Sequence, residues 1–141
     1  MTESEFRIKH SELIEYYQYI EMRLKFICAA FLANNEKGWL ERLDDIDSDP
    51  YGTLLHNIKE LQEKRKIEVL SPDDFIALDE IREKRNYWVH QCFGGKYPIV
   101  FPKGKLKNAG YGTMIVADLD TAIAWDEKLV EIGKHPALSY R

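Results

Sequence analysis

"SPDDFIALDEIREKRNYWVHQCFGG" (71–95) is the stretch whose reading decides the fold. It opens with Ser71 at a helix N-cap position and Pro72 in the first turn. Asp74 follows three residues after the cap. This is a capping-box arrangement with an acidic first turn, although Asp replaces the more common Glu. The stretch closes on the glycine pair 94–95, which predicts a helix end near Cys92. On a wheel of about 100° per residue, Leu78, Ile81, Trp88, Val89 and Cys92 cluster on one side. Arg85 falls in the middle of that apolar cluster. Asn86 lies on its shoulder, and His90 is a surface neighbour of Asn86 four residues on. Arg85 and His90 are about 140° apart on an ideal helix, so they meet only if Arg85 curls around, the helix breaks near its end, or a second copy supplies one of them.

Outward from this helix the same period recurs. Phe6, Leu13, Tyr17, Ile20, Leu24, Ile27, Cys28 and Phe31 are spaced by threes and fours or their sums, predicting one long helix from about Ser4 to Leu32. "ANNEKG" (33–38) ends it. A second helix is expected from about Thr53, read as its N-cap, to Lys66, with Leu54, Leu55, Ile58 and Leu61 as its stripe. After the glycine pair, "GGKYPIVFPKGKLKNAGYGTMIVAD" (94–118) is punctuated by Gly and Pro and holds two β-rich runs, Tyr97–Phe101 and Thr113–Ala117. These predict a small hairpin with a lysine-rich tip. A last helix is expected from about Asp118 to Lys134, and "HPALSYR" (135–141) is a trailing end. The sum is one all-α domain over 1–141: a four- to five-helix antiparallel bundle with a short β-hairpin-like insertion before the last helix.

Composition bounds the function. The chain has 141 residues, 45% of them hydrophobic, with 3 Trp, 8 Tyr and 6 Phe, enough for a real core. No apolar run approaches the 18 or so residues of a membrane span, and the charged start lacks a signal-peptide h-region, so a cytoplasmic protein is expected. Cys28 and Cys92 fall on apolar helix faces and read as reduced core thiols. A net charge of −4 argues against coating nucleic acid by bulk charge. That charge is segregated, however. Residues 82–107 carry Arg82, Lys84, Arg85, Lys96, Lys103, Lys105 and Lys107 against Glu83 alone. Residues 36–49 are acidic. "DDIDSDP" (44–50) resembles a calcium loop, but Pro50 stands where an EF-hand needs Gly and His56 where it needs Glu. It is read as a solvated acidic loop. The histidines show no metal spacing, and neither a P-loop nor a nucleophile elbow is present. No metal and no cofactor are expected. Trp39, Tyr51, Tyr97 and Tyr111 can stack on bases or pack on the bundle; packing is favoured.

Arg85 is the informative oddity. Leaving a guanidinium buried and unpaired costs several kcal/mol. It either pairs with an acid on another helix, for which Glu21 is the candidate, or lines a wet interface cleft, or faces an anionic ligand, or snorkels over the core. Beside it, a neutral imidazole such as His90 can take a proton from a ribose 2′-hydroxyl near pH 7. An arginine can hold the phosphate bidentately and stabilise its transition state. Such a pair suffices to cleave RNA by transesterification without a metal.

"RNYWVH" (85–90) resembles the R-x4-H motif, in its common form R-N-x3-H, of HEPN domains (higher-eukaryote and prokaryote nucleotide-binding domains). Those domains are bundles of four to five helices with the motif on a later helix after a long first one. The likeness is architectural over most of the chain and sharp only at 85–90. It implies a metal-independent endoribonuclease of toxin–antitoxin or defence type, working as a homodimer with two motifs in one cleft. By this likeness Arg85 and His90 are the catalytic pair and Asn86 orients them or the phosphate. Lys84, Lys103, Lys105 and Lys107 would contact the RNA backbone, and an antitoxin or regulatory protein is an expected partner. One toxin subgroup carries a modifiable Tyr two residues after the histidine; here that position is Cys92, so such regulation is not expected. Some members are inactive. A non-catalytic module binding RNA, nucleotide or protein is therefore the alternative, and a purely structural dimer the third reading.

Overall fold

In the computed structural model, which describes residues 1–33 and 36–138, five α-helices form the bundle and, among these residues, no strand is present. Helix α1 (Glu3–Leu32) is its axis, about 45 Å long at 1.5 Å per residue. Every apolar residue of its predicted stripe is buried. It packs against the four other helices, α2 (Trp39–Ile46), α3 (Tyr51–Arg65), α4 (Pro72–His90) and α5 (Ala109–Ile132). Its cap lies slightly earlier than the sequence suggested. Thr2 accepts from the Glu5 amide while the Glu5 carboxylate accepts from the Thr2 amide.

Helix α4 follows the sequence closely. Ser71 Oγ accepts from the Asp74 amide at 3.1 Å, and Asp74 Oδ2 accepts from the Ser71 amide at 2.9 Å. The helix ends at His90, two residues before the expected stop. The turn beyond it requires Gly95, where an added Cβ would sit 2.7 Å from the Gln91 carbonyl oxygen. Helix α3 starts before Thr53: Pro50 is its N-cap residue and Thr53 is exposed in the first turn. The pull is tertiary. Tyr51, at the first position, is buried and donates its hydroxyl to the Leu78 carbonyl at 2.9 Å.

Two expectations are overturned. Part of the acidic stretch is helical: Asp44 and Asp45 lie in α2, whose Trp39, Leu43 and Ile46 turn inward at steps of four and three. The interleaved acids masked that short stripe. The hairpin is absent. Thr113–Ala117 lies inside α5, which begins nine residues earlier than expected, with the Asn108 side chain accepting from the Gly110 amide. Gly112, Ile115, Leu119 and Ala122 are buried at steps of three and four, so the helical period wins over the β-branched composition. Tyr97–Phe101 belongs to an irregular strap that returns to the N-terminus. Ile99 donates to the Cys92 carbonyl, Leu106 donates to the Met1 carbonyl, and an isolated antiparallel bridge joins Thr2 and Lys105. Lys103 and Gly104 make its tip with positive φ values of 53° and 76°. In the trailing end, Leu138 is buried; Ser139, Tyr140 and Arg141, like Asn34 and Asn35, lie outside the described residues.

Candidate functional site

The motif helix presents its residues in two directions. Arg85 points towards α1 and α3. Its Nη1 lies 3.4 Å from Glu21 Oε2, with the two side chains 29% and 24% exposed. The guanidinium also sits 5.7 Å from the Tyr51 ring centroid. Of the readings open for Arg85, pairing with Glu21 is the arrangement found. Tyr51, beneath it, holds its proton far above the ordinary range, chiefly because of burial, although Arg85 pulls the other way.

Asn86 and His90 lie on the outer side of the helix. Both are exposed, and neither side chain hydrogen-bonds to a described residue. Because α4 stays helical through His90, the angular gap to Arg85 remains. No hydrogen bond or ring contact joins the two. Exposed apolar side chains accompany them, Val89 at 44% and Phe93 at 38%.

The lysines are dispersed. Lys84 faces α5, where its ammonium is 3.6 Å from Asp118 Oδ1. The other oxygen of that carboxylate accepts the Trp88 indole N–H at 2.8 Å. Lys103, Lys105 and Lys107 are exposed along the strap, and their side chains form no ion pair with a described residue. Of the loop aromatics, Tyr51 is buried, and Trp39 packs on Phe26 while donating to the Phe26 carbonyl at 3.1 Å. Tyr111 lies half-buried in α5, whereas the Tyr97 ring is open to solvent. The acids of 44–50 are partly neutralised by cations: Asp45 pairs with Lys37 at 3.2 Å and Asp47 with Lys25 at 3.6 Å. Among the described residues, no group of three His, Cys, Asp or Glu side chains could hold a metal.

Sequence reasoning missed His10. Its Nε2 lies 2.8 Å from the Trp88 carbonyl oxygen in the last turn of α4. A carbonyl only accepts, so that nitrogen carries the proton. The Cys92 thiol donates to the same oxygen at 3.1 Å. The Cys92 amide bonds to Tyr87 instead, so these two side chains satisfy a carbonyl that the helix end leaves unpaired. The His10 ring meets Phe93 edge-on at 5.1 Å, and Arg7 lies over Phe93 and Phe101 at 5.1 and 5.3 Å. The signal was available: His10 is four residues after Phe6 and three before Leu13, on the buried stripe of α1. Burial raises the pKa of the Cys92 thiol, as it does that of Cys28, which is pushed up to about 11. Both read as neutral structural thiols. Compared with protein-family models, curated proteins and solved structures, this chain matches none.

Proposed function

We propose that this protein is a metal-independent endoribonuclease of the HEPN type, acting as a homodimer in toxin–antitoxin or other defence biology. The observation that carries the reading is "RNYWVH" on a continuous helix, with Asn86 and His90 exposed at its outer side and their side chains bonded to no described residue. His90 takes the proton of a ribose 2′-hydroxyl. The 2′-oxygen attacks the adjacent phosphorus, the bond to the 5′-oxygen breaks, and the resulting His90 imidazolium returns its proton to that leaving oxygen. The products are a 2′,3′-cyclic phosphate and a 5′-hydroxyl end. Arg85 stabilises the phosphorane charge and Asn86 orients the group under attack. In this reading two copies bridge the 140° between Arg85 and His90, one lending the arginine and the other the histidine. Exposed Val89 and Phe93 beside the motif supply apolar surface for that pairing.

A second reading has its own support. Glu21 already occupies the Arg85 guanidinium, which suits a non-catalytic module binding RNA, nucleotide or a partner protein. The test is cleavage of labelled total RNA in EDTA, beside the Arg85→Ala/His90→Ala variant. Cyclic-phosphate ends made only by the unaltered protein are the expected result. An intact substrate with a folded dimer would sink the nuclease reading and leave the binding module.

A further inference from the structure

Helix α4 has a third side, turned away from Arg85. There the strap doubles back after Gly95 and leaves a groove of about 430 Å³ against the start of α5. That is room for a small ligand. Lys84, Tyr87, Gln91, Lys96, Tyr97 and Tyr111 line it. Tyr97 is the outlier. At 73% it is the most exposed large hydrophobic side chain among the described residues. Its backbone is nevertheless held, because the Tyr111 hydroxyl donates to the Tyr97 carbonyl at 3.3 Å. The loop is pinned from below while the ring stands outside the core. The Lys96 ammonium sits 5.6 Å from the centroid of that ring. In the same groove, burial and then Tyr111 push the pKa of the Tyr87 hydroxyl up to about 12.

An anchored ring beside ammonium groups suits a flat, electron-rich base attached to phosphate. We infer that this groove is a stacking subsite for one base of single-stranded RNA, with Tyr97 as the platform. Lys96 meets a flanking phosphate, and the Gln91 amide meets the base edge. Gln91 follows His90 directly in sequence and lies about 100° round the helix axis from it, so the subsite is on the face next to that of His90. The choice of RNA as ligand rests on the nuclease reading above.

The test uses a short fluorescent 2′-O-methyl oligoadenylate, which cannot be cleaved through a 2′-hydroxyl. Its affinity is measured for the unaltered protein, Tyr97→Ala and Tyr97→Trp, beside an abasic oligomer of equal length. Stacking predicts a loss of about tenfold for Tyr97→Ala, retention by Tyr97→Trp, and weak abasic binding that is indifferent to both. The melting temperature should not move, since the ring is exposed. Equal binding by unaltered and Tyr97→Ala protein overturns the subsite, whatever the cleavage result. Tyr97-dependent binding of this oligomer, with total RNA left intact in EDTA, keeps the subsite and sinks the nuclease. No binding at all by folded protein overturns the subsite.

Discussion

Arg85 and Glu21 form the pair on which most turns at the scale of single residues. Both are about three-quarters withdrawn from water, between the regimes of exposed and buried ion pairs. Removing one partner strands the other. Arg85→Leu should therefore cost about 1–2 kcal/mol in urea unfolding, and Arg85→Leu/Glu21→Leu should recover most of it. Losses in Arg85→Leu and Glu21→Leu that simply add in the double variant would show that the pair carries no coupling. His90 is a different case. It is exposed and its side chain bonds to no described residue, so His90→Ala should leave the unfolding free energy within about 0.5 kcal/mol of the unaltered protein and, on the nuclease reading, abolish cleavage and expression toxicity. A substantial fall in stability would mean that His90 is structural.

Helix α4 is held at both ends by side chains. At its start, burial alone would raise the Asp74 pKa, but hydrogen bonds from the Lys128 ammonium and the Ser71 amide outweigh it and hold the carboxyl below its usual range. A lowered folded-state pKa stabilises above the unfolded value near 3.9, and the contribution drains away as pH falls through that value towards the folded one. The urea midpoints of the unaltered protein and Asp74→Asn should thus differ most above about pH 5 and converge on acidification. A gap that widens in acid would contradict the assignment. At the other end, His10 fastens the Trp88 carbonyl while Asp118 fastens its indole. His10→Ala leaves that carbonyl with the Cys92 thiol alone. We expect a loss of about 1–2 kcal/mol and faster amide exchange confined to the last turn of α4 and the following turn. Uniform acceleration across the bundle would mean that His10 supports the core generally.

For the molecule as a whole, α1 carries the architecture because all four other helices lean on it. Among the described residues no helix is long and apolar enough to cross a membrane. The nuclease reading needs two copies, and Val89 is the exposed apolar residue closest to Arg85 in helical direction. Val89→Glu should convert a dimer to a monomer in sedimentation velocity and remove cleavage together with it. Cleavage by a monomeric Val89→Glu protein would refute the shared-cleft arrangement. The strap, tied to Met1 and Thr2, sets where the lysines of 103–107 stand relative to α4.

By itself the sequence determined the helices with long apolar stripes and clear caps. The stripe of α1 and the Ser71–Asp74 box of α4 were legible because period and capping are local chemistry. Arg85 was legible as a cation inside an apolar stripe, with Glu21 as one of several partners open to it, and the structure chose that pairing. Tertiary structure alone decided the rest. Helix α2 is only eight residues and is marginal without α1 to lean on. The start of α5 carries glycines and β-branched residues, and burial of Gly112 against Leu106 and Met1 overrode its local preference. His10 acquired its role from a carbonyl 78 residues away, and Tyr97 its exposure from a strap pinned at Tyr111. Such partners are remote along the chain, and no local period encodes them.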